Sequence, residues 1–362
     1  MKLELDEYLD VLERNPAERA CIFDIFCEFG KLTKFIKELN FVVGDEVYFS
    51  VIASDGLRAY NRNTEIAISR GLIDLSLSLS IDLGTKNINY YTPSDSSKFE
   101  RIGGLLWIVA HEYIHFARGH EEIWNNHSEL RRALEYDADC HAVAALYRYF
   151  ALVVYPYLEP LEIKKRVLSA IYWPVRKLIG TEIIFDKEDK EHPAWYVRLR
   201  YILVKLTCIE VPHINFGVTQ TWQENLEFLL THLISCERSY FPSNSKIELK
   251  ENKFFSAYIA EDTTRIVGNI ANKWELAEPL VKKSSRMMRD RQDCGARVAF
   301  LDSVKGLILI INGWQYSARE IRGVMMPNFH ARTGATRSNS YFFCPTPINY
   351  RWEMTSFVYP LA

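Results

Sequence analysis

Residues 99–119 read FERIGGLLWIVAHEYIHFARG. The stretch is apolar nearly all round, and a helix of that kind is normally buried in the middle of a domain. The helical pattern begins near Ser97, and Gly119 supplies a C-terminal stop. Into this apolar helix the chain sets His111, Glu112 and His115. Such side chains are costly to bury without compensation, and metal coordination would compensate them.

On an α-helix, residues i and i+4 share a face. His111 and His115 can therefore aim two imidazoles at one ion. Glu112 is rotated by about 100° from His111. That places its carboxylate beside the ion, where it can take a proton from an attacking water. This is the logic of the His-Glu-x-x-His motif. Catalytic zinc usually takes three protein ligands and keeps one position for water. One way to find the third is a histidine six positions after the second, but Glu121 stands there and His120 is one position short. The other way is a glutamate on a following helix. ELRRALEYDADCHAVAALYRYF, after Ser128, is such a helix, and it carries Glu135 20 positions after His115. Glu129, Asp137 and Asp139 are substitutes on the same segment. Asp139 lies four positions after Glu135, on the same face, where it can accept a hydrogen bond from a ligand imidazole and fix its orientation. His120 reads as a hydrogen-bonding residue rather than a ligand, because on a continuous helix it diverges from His115 by about 140°. His127 and His141 carry no assigned role.

His111-Glu112-Tyr113-Ile114-His115 with Glu135-Tyr136-Asp137-Ala138-Asp139 resembles the gluzincin metallopeptidases. Glu-Tyr-Asp-Ala-Asp is similar to the Glu-x-x-Ala-Asp element of HtpX-type peptidases, and His120 repeats their third histidine. EIAISRGLIDL (65–75) resembles the edge strand and Gly-Leu turn before their catalytic helix. His192-Pro193 with Arg198 resembles their His-Pro…Arg element. The resemblance covers about residues 60–205. HtpX-type enzymes are membrane-embedded, with a longer gap before the third ligand, so this chain looks more like a soluble relative, similar in plan to the Lit-like phage-exclusion proteases and the ImmA/IrrE group. The resemblance implies a zincin-like domain, Zn2+ held by His111, His115 and Glu135, and Glu112 as general base. It implies an oxyanion donor at His192 and Arg198 and a stress or phage-defence role; apart from the resemblance, Tyr136 is a further candidate donor.

Outside this region the chain is read more coarsely. Residues 5–40 show helical spacing broken at Asn15-Pro16. EVYFSVIA (46–53) looks like a strand, SDGLRAYNRN like a turn, and 65–69 like a strand able to bind substrate main chain. SLSLSIDL (76–83) alternates with period two, which also suits a short amphipathic helix. Further helices are expected at 160–179, 193–209, 217–240 and 255–290, and a strand at 306–313. The expected architecture is mostly helical α+β. Residues 1–212 form the zincin-like domain, with helices to 40 and a core from 41, and 213–362 form a helical C-terminal region.

Composition narrows the function. Of 362 residues, 48% are hydrophobic and 25% charged, the balance of an ordinary globular chain. A formal charge of −2 gives no electrostatic case for nucleic acid. No uncharged apolar stretch is long enough to span a membrane; the nearest, Ala142 to Leu158, contains Arg148 and reads as buried core. The N-terminus lacks a signal-peptide pattern. Seven cysteines without a Cys-x-x-Cys pair suit reduced thiols in the cytoplasm. The expected function is a cytoplasmic zinc endopeptidase acting on a protein or peptide. The alternative is a non-proteolytic zinc-binding module with a regulatory protein partner.

Overall fold

The computed structural model describes residues 2–3, 7–9, 16–40, 42–44, 46–82, 95–179, 193–209, 222–240 and 261–287. The fold is mostly helical with one small sheet, an α+β arrangement. Strand β1 (Lys2–Leu3) is followed by helix α1 (Pro16–Asn40). Pro16 occupies the first helical position, where its missing N–H costs nothing. The expected break at Asn15-Pro16 is thus the start of α1.

Strands β2 (Tyr48–Ile52), β3 (Ala59–Arg62) and β4 (Glu65–Ser69) complete the sheet, in the order β1-β2-β4-β3. β2 and β4 are parallel, Tyr48 opposite Glu65, and β3 and β4 are antiparallel, Arg62 opposite Glu65. Two sequence readings are corrected here. The turn-like stretch SDGLRAYNRN (54–63) contains strand β3, paired antiparallel with β4 across the two residues Asn63 and Thr64. Asn63 takes a φ of 54° there, a conformation asparagine tolerates. The strand at 65–69 is consequently interior, buried at all five positions and paired on both sides. It has no open edge for a substrate; among the described residues that edge belongs to β3.

The chain passes from β4 directly into α2 (Arg70–Asp82). The hydroxyl of Ser69 accepts the N–H of Leu72 at 3.4 Å and caps the helix. The alternating 76–83 stretch is therefore largely helical. Helix α3 (Asp95–Ala117) contains the apolar stretch, and α1, α2, β3 and the helices that follow all pack on it. These are α4 (His120–Trp124), α5 (Arg131–Tyr149), preceded by a 3-10 turn at Ser128–Leu130, and α6 (Pro160–Ile179). Gly103 and Gly104 let α3 approach α6 closely: a Cβ at either would overlap Ala170 or Pro174. A π-helical turn, Phe150–Val154, continues α5. The apolar run is buried as far as Phe150, whereas Leu152 and Val153 are half exposed.

Three more helices are described, α7 (Trp195–Cys208), α8 (Trp222–Tyr240) and α9 (Glu261–Ser284). The chain divides into two compact units. One holds Met1–Glu182 with Leu276–Gln292, the other Ile183–Glu275 with Asp293–Ala362. Position 212, where the sequence changes character, falls inside the second unit. In that unit α7 packs on α8. The strand expected at 306–313 lies outside the described residues. No helix among the described residues is long and apolar enough to cross a membrane.

Candidate metal centre

The site lies between α3 and α5. Alanines 133, 138, 142, 144 and 145 are buried on α5 and keep that helix slim. From α3 come His111 and His115, one turn apart, with Nε2 atoms 2.9 Å from each other. From α5 comes Glu135, its carboxylate oxygens 3.3 Å from Nε2 of His111 and 3.4 Å from Nε2 of His115. One ligating atom from each residue falls within 4.8 Å of the others, and all three residues are buried.

Asp139, one turn beyond Glu135 and fully buried, places Oδ1 2.8 Å from Nδ1 of His111. A carboxylate accepts, so His111 carries a proton on Nδ1 and turns Nε2 toward His115 Nε2 and the Glu135 carboxylate. Burial holds the His115 imidazole well below its ordinary pKa of 6.5, against the opposing pull of Glu135. Two imidazole nitrogens and a carboxylate this close together can each supply an electron pair, and such a set fits a cation. The three residues can hold a metal ion.

The surroundings form a second polar cluster. His120 Nδ1 lies 2.9 Å from His115 Nδ1, and His120 Nε2 lies 3.1 Å from Oδ2 of Asp137. The same oxygen faces Arg118 Nε at 2.5 Å, while Oδ1 of Asp137 is 3.6 Å from Nε2 of His141. Asp137 thus serves this cluster, not the ligand set. Trp124 packs on His115 with ring centroids 5.2 Å apart. The end of α3 is finished by a segment far away in sequence. Arg286 donates its backbone N–H to Ala117 O at 2.7 Å and a guanidinium N–H to Phe116 O, and stacks on the Phe116 ring. Nothing in the sequence pattern of the C-terminal third pointed to this cap.

Glu112 is partly exposed, next to His111 on α3, and Tyr136 is partly exposed next to Glu135. Glu129 is at the surface beside His127, 3.4 Å away, and not among the converging donors. Arg198 belongs to the second compact unit, on α7, where it is buried with its guanidinium 4.4 Å from the Trp195 ring centroid. His192 lies outside the described residues. No protein-family model, curated protein or solved structure matches this chain.

Proposed function

We propose that the protein is a zinc-dependent endopeptidase that cleaves a cytoplasmic protein or peptide. The observation that carries this reading is the convergence of His111 Nε2, His115 Nε2 and the Glu135 carboxylate, with Glu112 one residue from the first ligand. Two imidazoles and one carboxylate form a donor set of the kind catalytic zinc uses, with a position left for water. Zinc bound there would polarise a carbonyl and lower the pKa of a water to about 7. Glu112 takes the proton from the attacking water and delivers it to the leaving amine. Its partial exposure suits a group that must meet both water and substrate. The end strand β3 packs on α3 and can align an extended peptide by main-chain pairing. Tyr136, partly exposed on α5 next to Glu135, is proposed as the oxyanion donor. The five described cysteines are all free, which suits reducing surroundings.

The test has two parts. Protein purified without added metal should carry about one zinc per chain, and Glu135→Ala should lose or weaken it. Glu112→Gln should retain zinc and lose peptide-bond cleavage. Cleavage by Glu112→Gln at the wild-type rate would end the mechanism. Four protein donors around the metal would favour a structural, non-proteolytic zinc module.

A further inference from the structure

We infer that His120 is a positioning residue for the metal, acting with Asp137 and Arg118 as a second buried relay that fixes the proton and orientation of His115. The inference deepens the zinc reading above and rests on it. On a continuous helix His120 would point away from His115. The chain does not continue as one helix: α3 ends at Ala117, Gly119 adopts a left-handed φ of 65°, and α4 starts at His120. This reversal folds the His120 ring back against His115, with centroids 4.9 Å apart. Gly119 is suited to the turn twice over, since a Cβ there would also lie 2.6 Å from Ser284 O.

The proton positions follow in order from the surface of the relay inward. The Asp137 carboxylate faces Arg118 Nε at 2.5 Å, His120 Nε2 at 3.1 Å and His141 Nε2 at 3.6 Å. A carboxylate accepts, so His120 carries its proton on Nε2. The relay takes His120 Nδ1 as the acceptor and His115 Nδ1, 2.9 Å away, as the donor. His115 therefore presents its lone pair at Nε2, toward His111 and Glu135. His111 reaches the same state through Asp139 directly. The two ligand histidines are thus oriented by different devices, one by a carboxylate, the other by an imidazole backed by a carboxylate and an arginine. His120, Asp137 and Arg118 are all buried.

The test uses the full-length chain, with zinc alone as the probe in competition with a chelator of known affinity. His120→Asn places an amide oxygen where Nδ1 stands, so it can still accept from His115. His120→Gln places an amide nitrogen where Nε2 stands and keeps only the link to Asp137. His120→Gln should bind zinc about 10–100-fold more weakly than wild type, the usual effect of losing a ligand's orienting partner. His120→Asn should bind tighter than His120→Gln, and the visible spectrum of the cobalt(II) form should shift for Gln and not for Asn. Melting of the two metal-free variants separates folding from ligand positioning. Unchanged zinc affinity in His120→Gln would overturn the relay and leave the zinc reading intact. Equal losses in both variants, tracking equal losses of metal-free stability, would overturn it as mere packing. A wild-type chain that takes no zinc would overturn the relay and the zinc reading together.

Discussion

Asp139→Ala is the sharpest probe of the candidate metal centre, because two independent magnitudes bear on it. The carboxylate is fully buried and sits 2.8 Å from Nδ1 of His111. A hydrogen bond to a charged group contributes about 1.5–3 kcal/mol. At about 1.4 kcal/mol per tenfold, that corresponds to a loss of roughly 10–150-fold in zinc affinity. Loss of a ligand's orienting partner independently suggests about 10–100-fold. Metal-free stability should change less. Leaving the His111 N–H without its acceptor costs about 1–3 kcal/mol, while removing a buried charge acts in the opposite direction. Chelator competition gives the affinity, and a melt of the metal-free protein gives the control. An affinity within about threefold of wild type, under about 0.7 kcal/mol, would show that Asp139 does not orient His111. Abolished binding, as severe as in Glu135→Ala, would show that Asp139 is itself a ligand.

Other expectations address the frame of the site. Gly104→Ala puts a Cβ into Pro174 and 2.9 Å from Ala170 O. Overpacking of this kind costs about 1–3 kcal/mol, or a fall in Tm of roughly 2–12 °C for a unit of this size; a Tm at or above wild type would refute the close α3–α6 approach. Arg286→Ala removes a cation and a donor from the C-terminus of α3 and should lower stability by about 1–2 kcal/mol. Its zinc affinity should stay near wild type, since His111 and His115 are not touched. The metal-free protein should lose stability in acid. His115 is held neutral by burial, below 6.5, so the unfolded chain binds the proton that the native one refuses. Stability is then full above about pH 6.5 and declines as pH falls below it. A metal-free Tm that rises between pH 7.5 and 5.5 would contradict a buried neutral His115.

Much of the helical frame could be read because burial leaves a periodic trace. The 160–179 helix and the apolar 99–119 segment fall where the spacing put them. The hairpin could not be read in this way. AYNR is short and half polar, and its strand state depends on pairing with β4, a contact that composition does not announce. Once β3 is present, β4 moves from the sheet edge to its interior. At the site, the i, i+4 spacings of His111 with His115 and of Glu135 with Asp139 were legible because each pair shares a helix. That the two helices face each other is a tertiary fact. His120 was harder still: rotation about one helix axis sends it away, and only the left-handed turn at Gly119 brings it back. The Arg286 cap joins positions about 170 residues apart and had no local signature.

The chemistry of the groups buried between α3 and α5 favours a cation. Three carboxylates, Glu135, Asp137 and Asp139, lie on one helix and are all nearly inaccessible. Burying a charge costs several kcal/mol unless a partner compensates it. Asp137 faces a guanidinium. Glu135 and Asp139 face imidazoles, and burial keeps His115 from taking the proton that would make it a positive partner. A hydrophobic core of the same volume would fold at lower cost, and the alanines along the rest of α5 indicate that close apolar packing is available there. Two imidazoles and a carboxylate packed this closely would be relieved by a divalent cation. Binding of such a cation would be coupled to folding. Saturating zinc should therefore raise the Tm of the wild-type protein. In His111→Ala, which lacks one of the three donors, that rise should be largely lost, and an undiminished rise would place the bound zinc somewhere else.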